Sequence, residues 1–322
     1  MTLFVPIENL VEKKHPYRVI FELIDFESTR KVLSGCIKEA NSKYSVVQAF
    51  KMLLLQYMED LSDRELERFL QENLAGKYFC GFSLEDETPD HSYFGYARER
   101  IGLERLKNLF NHFREDLKEK GIIREIFTFV DASQLKSKLS LWSERDKAIK
   151  AGQEKLDNQV IKRFAKDTEA RIGCKGKTNF WYGYKRVRSV DMQSGLINKS
   201  NLVPANVHDS RTVRGVCPGG GALYGDKGFC GKRSEKEAQK RFCSPRFIKR
   251  NNMIEKNFDL DRYLTKIRAP YERVFSQDNK KARYIGIRKN LFAEIMESLA
   301  FNCKRLIRIR DQIPKDFILS AG

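Results

Sequence analysis

Long apolar runs are missing from this chain. The longest strongly apolar stretch, near Phe50 to Met58, is far short of the ~20 residues that a membrane-spanning helix needs. Met1 to Arg18 has no basic region leading into an apolar stretch, so no secretory signal is expected and a cytoplasmic protein follows. Paired cysteines are missing too. The seven cysteines (Cys36, Cys80, Cys174, Cys217, Cys230, Cys243 and Cys303) include no Cys-x-x-Cys, and the four histidines (His15, His91, His112 and His208) sit apart from them. This argues against a zinc site and a disulfide framework, and predicts reduced, structural thiols.

Positive charge is abundant. Lys and Arg number 61 against 43 Asp and Glu, a formal net of +18. A surplus of this size favours a polyanionic partner, and without a membrane-seeking segment that partner is nucleic acid. The densest basic patch runs from Gly231 to Lys256, with nine Lys or Arg against three acids, a composition suited to a phosphate backbone. At 322 residues the chain has room for two domains or one large one.

Residues 1–125 read as helical. Val47, Phe50, Leu53, Leu54 and Tyr57 recur at helical spacing, and Leu103, Leu106, Phe110, Phe113 and Leu117 do so again. Ser62-Asp63-Arg64-Glu65 is a capping-box pattern opening a further helix. Short helices joined by tight turns, with Arg98 and Arg100 exposed by their pattern, suggest a small DNA-binding bundle.

From residue 126 the pattern changes to strands. Ile126 to Val130 is an apolar β run that delivers Asp131. A charged excursion follows at about 136–178, with Trp142 as its expected anchor. Phe180 to Val187 then alternates towards Asp191, Met192 to Gly195 reads as a hairpin turn, and Leu196 to Val203 as the return strand. Asp209 or Ser210 is expected to cap a short helix. Leu223-Tyr224-Gly225 carries into Asp226, with Gly228 ending the strand. Downstream, Arg268 and Glu272 lie four apart on a helix, and the last helix carries the stripe Phe292, Ile295, Met296, Leu299, Cys303 and Leu306, expected to close the second domain. The order of elements predicts an α/β fold of the ribonuclease-H-like kind: a mixed sheet flanked by helices over residues 126–322, preceded by the helical domain.

Taken in order, these motifs resemble a bacterial insertion-sequence transposase of the DDE class, in the group of insertion sequences four and five. The resemblance rests on Phe129-Val130-Asp131-Ala132-Ser133, Phe180 to Lys185, Gly195-Leu196-Ile197, Asn206-Val207-His208-Asp209, Gly225-Asp226-Lys227-Gly228-Phe229, Arg268 with Glu272, and Lys281-Ala282-Arg283-Tyr284. It extends upstream to Leu61-Ser62-Asp63-Arg64-Glu65-Leu66 and Pro89-Asp90-His91-Ser92. Where the family has a Tyr and a Lys around the Arg and Glu, this chain has Thr265 and Asn279; Tyr263 and Lys280 are the nearest substitutes.

The resemblance implies cleavage of double-stranded DNA at an element's terminal inverted repeats and joining of the 3′ ends to a target. Asp131, Asp226 and Glu272 would be the catalytic and metal-binding carboxylates, holding two Mg²⁺ ions, with Mn²⁺ able to substitute. Hard cations want oxygen ligands, and a pair roughly 3.5–4 Å apart serves both attacking and leaving oxygens of a phosphodiester. Arg268, Lys280, Lys281, Lys227, Lys232 and Arg233 would contact DNA, with Arg98 and Arg100 in the first domain. A homodimer on DNA and a nucleoid-associated bacterial protein are further expectations. Two other readings stay open: a non-catalytic DNA-binding regulator derived from a transposase, and a nuclease of the same fold without strand transfer.

Overall fold

The computed structural model describes residues 5–37, 42–176, 178–251, 253, 256–276 and 279–313; the side chains of Arg268 and of residues 272–276 lie outside that description. The chain divides into two compact units, residues up to Ile122 joining those from Ile295 onward, and Ile123–Glu294 forming the second.

The first unit holds α1 (Ile7–Leu10), α2 (Pro16–Leu23), α3 (Ser28–Val32), α4 (Val46–Met58), α5 (Asp63–Glu72), α6 (Leu74–Cys80) and α7 (His91–Glu119). The starts of α4 to α7 are set by side chains that satisfy the free N–H groups of a first turn. Ser45 with Gln48 and Ser62 with Glu65 make complete capping boxes, Asn73 accepts from Gly76, and Asp90 accepts from the N–H groups of Ser92 and Tyr93. Gly102 breaks α7 at φ +66°, ψ 165°, a conformation that a residue with a side chain enters only with strain. Phe21, Phe26, Phe50, Phe79 and Phe113 form the aromatic centre of this unit.

The second unit is built on β1 (Phe127–Lys136), β2 (Arg171–Lys175), β3 (Asn179–Asp191), β4 (Ile197–Pro204), β5 (Gly221–Gly225) and β6 (Cys243–Phe247). β1 is central. It pairs antiparallel with β3, from Thr128 opposite Asp191 to Lys136 opposite Gly183, and parallel with β5. β6 continues the parallel side, while β4 and β2 pair antiparallel with β3. Three antiparallel strands leading into three parallel ones around a central first strand is the ribonuclease-H-like arrangement. Between these strands lie α8 (Leu141–Lys150), α9 (Asn158–Phe164), α10 (Val213–Val216) and α11 (Lys232–Gln239), followed by α12 (Phe258–Ser276) and α13 (Ile287–Ile309).

Strand alternation sorts the sheet into two faces. Val130, Val187 and Leu223 point to one face, where Val213, Val216 and Ala238 of α10 and α11 cover them. Asp131, Arg186 and Arg188 belong to the other.

Strand β1 runs five residues past Asp131, because β3 offers partners as far as Gly183. Two expectations need correction. Trp142 is no anchor: it is 68% exposed, with the Arg145 guanidinium 5.4 Å from its ring centroid. The excursion is held instead by Ile161, Ala165 and Ala170, packed with Leu135, Tyr182 and Tyr184. The stripe of α13 is buried as expected, but from Ile295 on it belongs to the first unit. Leu299, Cys303 and Leu306 line the same small cavity as Ile24, Leu54, Phe110 and Phe113. Pairing apolar stripes from the two ends of a chain is a tertiary choice that periodicity leaves undetermined.

None of the seven cysteines, all among the described residues, forms a disulfide, and only Cys174 is exposed. A thiol reagent such as DTNB is therefore expected to titrate one cysteine in the native protein and seven in denaturant; rapid reaction of more than one native thiol would contradict the fold.

Candidate active site

Asp131 and Asp226 are placed side by side by the sheet. The parallel ladder of β1 and β5 pairs Phe129 with Tyr224 and Val130 with Gly225, so the next residue on each chain is a carboxylate. Neighbouring strands are ~4.8 Å apart, which sets the spacing of the two backbones. Each side chain is steadied by a local N–H. Asp131 Oδ1 accepts from Ala132 N at 2.8 Å, and Asp226 Oδ1 from Gly228 N at 2.8 Å. Two carboxylates on adjacent strands are oxygen donors of the type that suits a hard divalent cation. No cluster of three His, Cys, Asp or Glu side chains suited to a metal occurs among the described residues, which include Asp131 and Asp226 but not the carboxylate of Glu272.

Glu272 and Arg268 lie in α12, which packs against β1 and β5, the two strands that present the aspartates. Their side chains are outside the described residues. Tyr271, immediately before Glu272, sets the seat of the helix: its ring centroid is 6.5 Å from that of Phe129, and its hydroxyl donates to Met192 O.

Gly228 is where two acidic segments meet. A Cβ built there would lie 2.4 Å from Asp209 Oδ2 and 3.0 Å from Asp226 Oδ1. Asp209 is held in turn by Lys185 Nζ at 2.6 Å, and the residue capping the short turn is His208, whose Nδ1 accepts from Ser210 N. Asp209 therefore pairs across to β3 rather than capping, because a lysine ammonium is the stronger partner. Gly228→Ala is expected to displace Asp226 and lower the rate of DNA cleavage by roughly 10–100-fold while leaving the melting temperature near the parent's. An unchanged rate in single-turnover assays would show that Asp226 needs no such support.

Just over half of the chain, residues 127–297, matches the family model of the transposase DDE domain. The chain belongs to the DDE transposases. Residues 5–100 match a second model, a transposase domain (DUF772), and the protein is a DNA transposase enzyme. A cryo-EM structure of the piggyBac transposase synaptic complex with hairpin DNA is similar at 10% identity over 98% of this chain and 81% of that one, with a TM-score of 0.38. No curated protein matches. No helix among the described residues is long and apolar enough to cross a membrane.

The basic residues expected on DNA divide by position. Lys227 follows Asp226 directly; it is exposed and bonds Asn251 Oδ1 at 3.1 Å. Lys232 and Arg233 are exposed at the first turn of α11, where the N-terminal end of the helix dipole adds to their charge. Lys280 and Lys281 are exposed beside the far end of β1, where Lys136 N donates to Lys280 O and Ala282 N to Lys136 O, both at 2.8 Å. Arg100 of the first unit is exposed, lying over the Tyr96 ring at 5.1 Å. Arg98 is a correction. Its guanidinium grips Asp63 through two bonds of 2.8 and 2.6 Å and also reaches Gln56, so it ties α7 to α5 and α4 instead of facing solvent.

Sequence reasoning passed over Arg186, Arg188 and Glu294. Arg188 stands opposite Asp131 in the ladder, and Arg186 opposite Ser133. Both are fully buried, and Glu294 of α13 receives the Nε of each, with the Arg188 bond at 2.5 Å and a further bond from Ser200 Oγ at 2.6 Å. Burial by itself would raise the Glu294 carboxyl pKa; the two guanidiniums outweigh it and hold the pKa below the ordinary value. The signal was present as two arginines on one face of an apolar strand and an acid inside an apolar helical stripe, a pattern that burial permits only when the charges pair.

Proposed function

We propose that this transposase cleaves DNA at the terminal inverted repeats of an insertion sequence and joins the 3′ ends to target DNA, with Asp131, Asp226 and Glu272 as metal ligands. The observation that carries the reading is the neighbouring placement of Asp131 and Asp226 at the β1–β5 register in a chain of the DDE family. Bound Mg²⁺, or Mn²⁺ in its place, would activate the attacking oxygen and stabilise the leaving one. Asp131 and Asp226 would present oxygens from adjacent strands, and α12 would bring Glu272 as the third carboxylate. Lys227, Lys232, Arg233, Lys280 and Lys281 would neutralise phosphates on either side and align the scissile strand. Arg268 would do the same from α12. The first unit would bind the element's ends, with Arg100 as its contact, and two copies of the chain would pair two ends.

The test is an assay with a plasmid carrying the element's two ends, purified protein and Mg²⁺. Metal-dependent nicking at the repeat boundary followed by covalent joining to a target plasmid supports the proposal. Cleavage without joining would favour a same-fold nuclease, and repeat-specific binding without cleavage a regulator derived from a transposase.

A further inference from the structure

We infer that Glu294 is a positioning residue for the DNA reaction, acting through Arg186 and Arg188; this rests on the transposase reading above. One buried carboxylate gathers three parts of the second unit. Through Arg188 it holds the segment of β3 directly opposite Asp131. Opposed residues in an antiparallel ladder have Cβ atoms about 4.5–5.5 Å apart, so a shift of β3 is felt at Asp131. Through Arg186 it reaches the segment that carries the two exposed lysines, since Arg186 Nη1 donates to Asn279 O at 3.1 Å. Asn279 is followed by Lys280, whose carbonyl accepts from Lys136 N at the end of β1. The third anchor is Ser200 on β4.

The placement of the charges argues for a role beyond packing. Arg186 and Arg188 are buried on the sheet face that carries Asp131, and Arg188 stands directly across the ladder from it. A cluster serving stability alone gains little from buried charge, because isosteric apolar side chains pack as well or better. Opposite a carboxylate of the proposed site, and tied to the segment that carries Lys280 and Lys281, fixed cations are useful, since they hold both in place. This accounts for two arginines, rather than apolar residues, at alternate positions of β3. Glu294 sets where those charges sit.

The decisive variant removes the whole cluster without leaving a buried charge: Arg186→Met, Arg188→Leu and Glu294→Leu together. It is compared with the parent for fold (circular dichroism and thermal melting), for the salt dependence of DNA binding, and for single-turnover cleavage of an element-end substrate with Mg²⁺. With the fold retained, the slope of log K against log salt is expected to become shallower by about 1 to 2, because Lys280 and Lys281 no longer neutralise phosphates as the parent's do. Cleavage is expected to slow by roughly 10–100-fold. A folded triple variant with parental slope and parental rate overturns the inference. Should the triple variant fail to fold, Glu294→Asp decides: it keeps the charge but shortens the reach, and a slower rate at an unchanged melting temperature supports positioning, whereas a parental rate refutes it. If the parent itself binds DNA but does not cleave, the transposase chemistry fails while the salt slopes still judge the cluster.

Discussion

Replacing Asp226 with Ala is expected to lower metal-dependent DNA cleavage by roughly 10³-fold or more, since it removes an oxygen ligand at the point where charge develops. Asp131→Ala is expected to do the same. The backbone reason is the β1–β5 register, which makes these two residues neighbours on adjacent parallel strands and leaves neither able to take over for the other. Neither substitution touches Lys227, Lys232, Arg233, Lys280 or Lys281, so affinity for element-end DNA in a gel-shift assay should stay within a few-fold of the parent. Cleavage that survives either substitution would remove that residue from the site and with it the proposed metal assignment. Glu272→Ala belongs to the same series, and loss of cleavage in all three would establish the triad by function.

Glu294→Gln should cost the second unit about 3–5 kcal/mol of stability, the typical result of removing one partner from a buried ion pair. The substitution leaves Arg186 and Arg188, both fully buried, with no carboxylate between them at this position. Urea unfolding followed by tryptophan fluorescence reads this directly, because Trp142 and Trp181, the only two tryptophans, both lie in the second unit. A midpoint equal to the parent's would mean that the two arginines find other partners at no cost. The same pair predicts a pH dependence. The Glu294 pKa is lower in the folded state than in the unfolded one. Its contribution is therefore complete above the unfolded glutamate pKa of about 4.3 and declines as pH falls through the folded value. The parent should lose stability in acid more steeply than Glu294→Gln, which has no proton to take up at that position.

Local chemistry made much of the protein legible in its residues. Ser62 with Glu65 marked a helix start, because capping is settled within four residues. The apolar runs before Asp131 and Asp226 marked strands, and alternation from Phe180 to Asp191 marked the long hairpin arm. The two aspartates were recognisable as a pair of strand-associated acids. What the residues alone left open was register: nothing in either run states that Val130 lies beside Gly225, and a one-residue slip would have moved one carboxylate to the opposite face. The tertiary structure also decided the fate of individual charges. Arg98 looked exposed by its pattern yet is bound to Asp63, and Trp142 looked like an anchor yet is open to solvent, because burial depends on which distant element arrives to cover a side chain. The same holds for Glu294. Its two arginine partners are over 100 residues upstream, and only the packing of α13 against β3 turns three scattered charges into one buried cluster.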